Sequence, residues 1–93
     1  MEIEGLPGAQ LIEQGLADLA RGEESVPSLL ASIGFPRLSL LGLDVPSPLP
    51  DAERRLYRLL EKDGSDSAHG RYNALVRTLV SFERAAAVRR RAA

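Results

Sequence analysis

Between residues 68 and 86 the apolar side chains fall at Ala68, Tyr72, Leu75, Leu79, Phe82 and Ala86, in steps of four, three, four, three and four. A strand alternates in twos. This spacing calls for a helix with one continuous apolar seam, nearly three heptads long. Val76 and Val80 widen the seam on one side, which suits packing in a bundle better than pairing in a two-stranded coiled coil. The pattern predicts a helix over 66–90. The preceding stretch, "DAERRLYRLLEKD", carries Ala52, Leu56, Leu59 and Leu60 on one stripe and predicts a helix over 51–63, with Asp51 capping it or favouring its positive end, Arg55 one turn on as its opposite-sign partner, and Gly64 ending it. A loop this short folds the two helices back on each other, so an antiparallel hairpin is expected.

Upstream, Ala9, Ile12, Leu16 and Leu19 share one face of a helix predicted over 7–22, with Pro7 in its first turn and Gly22 beyond its end. Gly8 and Gly15 flank that stripe, and a second backbone can approach closely there. Residues 25–42 read as two short helices: Ser25 caps the first, and Gly34-Phe35-Pro36 divides it from the second, which Gly42 stops. Two short helices around a glycine invite comparison with a DNA-reading helix pair. The second carries only Arg37 among leucines, which is core chemistry and not base-edge chemistry. Residues 43–50 hold three prolines and form a stiff connector, with Val45 and Leu49 available to the core. No stretch alternates as a strand does. The expectation is an all-α single domain, a small bundle of about five helices ending in the long hairpin.

At 93 residues, with two Phe, two Tyr and no Trp, the core is thin and built from Leu, Val, Ile and Ala. A thin core makes association with a second chain a natural source of further burial. The absence of cysteine removes disulfides, thiolate metal sites and a cysteine nucleophile. No run approaches the roughly 18–20 apolar residues of a membrane span, and Met1-Glu2-Ile3-Glu4 does not open a secretory signal. A cytoplasmic protein without membrane contact is the expectation. Lys62 is the only lysine and Asn73 the only asparagine, a bias that fits a GC-rich genome or a thermophile.

The net charge of −1 hides a separation. Residues 1–35 carry Glu2, Glu4, Glu13, Asp18, Glu23 and Glu24 against Arg21. Residues 69–93 carry Arg71, Arg77, Arg84, Arg89, Arg90 and Arg91 against Glu83. Either the halves meet or the basic end seeks an anionic partner.

Three groups of residues are candidates for function. Asp63, Asp66, His69 and Tyr72 recur in threes, a spacing that could gather a metal or move a proton. Gly64 separates the first from the rest, and one imidazole is meagre for zinc. His69, Gly70 and Asn73 form a possible polar site. Glycine inside a helix costs about 1 kcal/mol relative to alanine, so Gly70 asks for a reason. The favoured reason is a neighbouring element pressed against it, with Tyr72 or Asn73 bonding to that backbone. Third, Arg54, Arg58 and Lys62 on one helix, and Arg77, Arg84 and Arg91 on the next, form basic rows able to meet phosphates. No phosphate-binding glycine loop, metal-binding His-Glu helix or serine-nucleophile motif is present, and no cofactor is implied.

The reading expected from these features is a non-catalytic protein–protein interaction or oligomerisation module. It would contact itself or another protein through Tyr72, Leu75, Val76, Leu79, Val80 and Phe82, or through the Leu11 and Gly15 side of the first helix. The alternative is nucleic-acid binding by the basic hairpin faces. The third is a metal- or His69-dependent enzyme.

Overall fold

The computed structural model describes residues 2–92. They form five α-helices and no strand: α1 (Ala9–Ala20), α2 (Val26–Ile33), α3 (Phe35–Leu40), α4 (Ala52–Glu61) and α5 (Ser65–Ala92). Phe82, Ile12, Leu29, Leu30, Leu38, Leu56 and Leu60 are fully enclosed, so every helix sends at least one large side chain into a shared core. At about 1.5 Å per residue the 28 residues of α5 span roughly 42 Å, the length of the molecule's longest axis. Helix α4 packs on α5, α2 packs on α4, and α1 packs on α2.

The α1–α2 corner rests on a close approach and a polar knot. A Cβ on Gly15 would lie 2.8 Å from the Pro27 carbonyl carbon and against its oxygen, so only glycine lets α1 touch the α2 backbone here. Ser25 caps α2. Its Oγ accepts from the Ser28 amide at 3.1 Å while its own amide donates to Ser28 Oγ at 2.7 Å. This reciprocal arrangement satisfies two backbone donors, and Pro27 sits in the first turn where no amide is needed. Ser25 Oγ also donates to Asp18 Oδ2 at 2.7 Å, and Gln14 Nε2 donates to Asp18 Oδ1 at 2.8 Å. Arg21 completes the knot by pairing with the same carboxylate.

Gly34 is the second close approach. A Cβ there would meet Leu79 Cδ1 at 2.8 Å, so the α2–α3 corner packs directly on the α5 seam. The proline-rich connector is tied back where Leu49 N donates to Ser32 Oγ at 2.9 Å, while Val45 is buried and Leu49 half-buried. Tyr57 of α4 lies with its ring centre 5.6 Å from that of Tyr72 and 6.4 Å from that of His69, joining α4 to the first turns of α5.

Several expectations are corrected. Helix α1 begins at Ala9, not at residue 7: Gly8 precedes it in a left-handed conformation (φ +75°), leaving Pro7 outside the helix. Asp51 makes no side-chain cap. It adopts a left-handed backbone (φ 55°), and its carboxylate stands 3.6 Å from Arg54. Arg55, the expected partner of Asp51 one turn on, reaches instead to Glu24 and to the Pro50 carbonyl. Asp18 is buried because Ser25, Gln14 and Arg21 supply the donors it needs.

Candidate functional site: an apolar cleft between α3 and α5

Helix α3 is six residues long and carries Leu38 and Leu40, with Leu41 as its C-cap. At about 100° per residue these cannot share one face. Leu38 enters the core and Leu41 is half-buried, which leaves Leu40 on the far side, 78% exposed. Facing α3, the second half of α5 presents Glu83, Arg84 and Ala87. Together with Arg37, Leu40 and Leu41 these enclose a cleft of about 260 Å³. Its lining is mostly carbon, and Arg37 and Arg84 on its walls are exposed residues. Val88, the next residue on α5, is 57% exposed.

Two interactions shape the cleft. Arg90 donates to the Leu40 carbonyl, one of the orphan acceptors at the end of α3, and so ties that end to α5. Glu83 is 7% exposed, and its carboxylate oxygens are not buried without a partner. Burial pushes its carboxyl above the ordinary range, and the field of Arg37 offsets part of that rise.

The residues singled out from the sequence are distributed as follows. Leu79 and Phe82 lie in the core, so the chain's own packing uses them and a partner cannot. Tyr72, Leu75, Val76 and Val80 are half-buried. On α1, Gly15 is covered by Pro27 and Leu11 is half-buried. His69 is exposed, and its Nε2 lies 3.2 Å from Asn73 Nδ2, one turn along the same helix. Gly70 contradicts the expected close contact: nothing stands within 4 Å of where a Cβ would be. Asp63 is 3.3 Å from Arg71, and no group of three or more metal-ligating side chains assembles among the described residues.

The basic rows do not converge. Arg58 and Lys62 share an open recess with Glu24, Arg55 and Leu59, whereas Arg84 belongs to the α3–α5 cleft. Arg54 faces Asp51. Arg77, Arg84 and Arg91 are exposed and unpaired among the described residues.

Leu40, Arg37 and Glu83 were not placed together by sequence reasoning. One signal was available: leucines at 38, 40 and 41, in a short helix and its C-cap, cannot all face the core. Glu83 carries a similar signal, standing four residues after Leu79 and next to Phe82, at the edge of the seam. Neither position in the sequence reveals that the two meet across a cleft.

No family model, curated protein or solved structure matches this chain. Among the described residues no helix is long and apolar enough to cross a membrane.

Proposed function

We propose that this chain is a non-catalytic protein–protein interaction module, acting in the cytoplasm, whose contact surface is the α3–α5 cleft. The exposure of Leu40 carries this reading. Burying a leucine side chain stabilises by about 1.5–3 kcal/mol, yet the chain leaves this one in water beside a preformed cleft. A groove between two helices receives the apolar side chains of a third. In this reading the molecule is one helical bundle, in which α4 and the first half of α5 form an antiparallel hairpin. That scaffold holds α3 and the second half of α5 at the angle a partner meets.

A photoreactive amino acid at position 40, with a control at exposed position 17 on α1, tests the reading in the native cell. The expected result is a discrete protein adduct from position 40, either with a second copy or with another protein, and none from position 17. Equal labelling from both positions, or no adduct from position 40, would overturn it.

A further inference from the structure

We infer that the α3–α5 cleft takes an acidic amphipathic helix of a partner protein, which seats an apolar side chain between Leu40, Leu41 and Ala87 and sets its carboxylates against Arg84, Arg91 and Arg37. The inference rests on the docking reading above and supplies its missing chemistry. Arg77, Arg84 and Arg91 follow one another at seven-residue intervals, so they share a face of α5 at separations of about 10.5 Å. The middle one lines the cleft, and Arg37 faces it from α3. All four are exposed, and none is paired with a carboxylate among the described residues. A helix lying alongside α5 with Glu or Asp at the same interval brings a carboxylate to each guanidinium in register, and that geometry accepts two parallel hydrogen bonds per pair.

The chain's own acids do not fill this role. Where the N-terminal segment meets the basic end, Arg89 binds the backbone carbonyls of Glu2 and Glu4, at 3.4 and 2.8 Å, and not their carboxylates. A cationic occupant is disfavoured. The one acid of the cleft, Glu83, is sunk in its wall within the field of Arg37, and every exposed charge on the rim is positive. A nucleic acid would satisfy the arginines but has no apolar side chain for Leu40 and Ala87. An anionic membrane needs a broader apolar face than Leu40 and Ala87 present.

The test uses the full chain and three labelled, stapled helical peptides of about 21 residues with one common leucine stripe and polar positions that are all Glu, all Gln or all Lys. Binding is read by fluorescence anisotropy at about 50 and about 300 mM NaCl. The expected result is that the Glu peptide binds at least about tenfold tighter than the Gln peptide, and the Lys peptide weakest. High salt and the double variant Arg84→Glu, Arg91→Glu should erase that order, with the variant's circular dichroism unchanged. Leu40→Ser should weaken the Glu and Gln peptides alike. Glu83→Gln, which removes the one acid of the cleft, should tighten binding of the Glu peptide.

Tightest binding by the Lys peptide, or loss of Glu-peptide binding in Glu83→Gln, would overturn the charge assignment. So would tighter binding of a DNA duplex or of phosphatidylserine vesicles, or no binding by any of the three peptides. If a position-40 adduct still forms in the cell under any of these outcomes, docking at the cleft survives and only the acidic helix falls. If no adduct forms, both fall.

Discussion

Gly15 and Gly70 both interrupt helices, yet they occupy opposite situations. Gly15 is pressed against the Pro27 backbone, which cannot yield as a flexible side chain would, and Gly70 faces open space. Gly15→Ala should therefore destabilise by about 2–3 kcal/mol through overpacking. Gly70→Ala should stabilise by about 0.5–1 kcal/mol, the helix-propensity difference. Urea titration of both variants checks the pair, and a destabilising Gly70→Ala would show that the residue is there for another reason. At this scale the sequence was informative about Gly15, which flanks an apolar stripe, and misleading about Gly70, since the chain alone does not say what lies opposite a glycine. Two buried carboxyls respond to pH with opposite signs. The hydrogen bond from Ser25, followed by that from Gln14, holds Asp18 below the ordinary carboxylate range. Its contribution is complete above the ordinary carboxylate pKa and disappears as pH falls through the folded value. Asp18→Asn should accordingly lower Tm at pH 7 and have a smaller effect near pH 2. Glu83 lies above the ordinary range because burial opposes its charge, so the fold loses stability as pH rises through the folded value. Glu83→Gln should raise Tm at pH 8 and leave it nearly unchanged at pH 4. A uniform shift across that range would contradict the burial argument.

Helix α5 shows why elements were easier to read than sites. Its seam repeats over a run long enough that a single accidental leucine cannot imitate it, and Ala68, Leu79, Phe82 and Ala86 are all buried. The boundaries of α2 were legible because Ser25 and Pro27 act locally, through hydrogen bonds and geometry that need no distant partner. The start of α4 was not, because the capping role given to Asp51 depended on a backbone angle that the sequence does not display. Phe82→Ala should cost about 3–5 kcal/mol by leaving a cavity where the seam is fully enclosed. Val88→Ala, six residues further along and exposed, should stay within about 0.5 kcal/mol. Thermal or chemical denaturation distinguishes them, and comparable losses would mean that the C-terminal turns of α5 are packed on something in solution.

For the whole molecule, the sequence showed an uneven charge distribution and a surplus of apolar surface, but not where the two coincide. The cleft is made by residues more than forty positions apart, Arg37 to Leu41 and Glu83 to Ala87, so no local pattern encodes it. Leu40→Asp should change stability by no more than about 0.5 kcal/mol, since that side chain contributes little to the core, while abolishing peptide binding. A large drop in Tm would place Leu40 in the chain's own packing instead. The two ends of the fold are held by different chemistry. At one end, the α1–α2 corner depends on a carboxylate that acid can neutralise. At the other, Arg89 and Arg90 clasp peptide oxygens of Glu2, Glu4 and Leu40. Guanidinium keeps its proton, and an amide oxygen has none to gain until far stronger acid. Acidification should therefore unfasten this protein from one side only, loosening Asp18's neighbourhood while the arginine clasp stays shut.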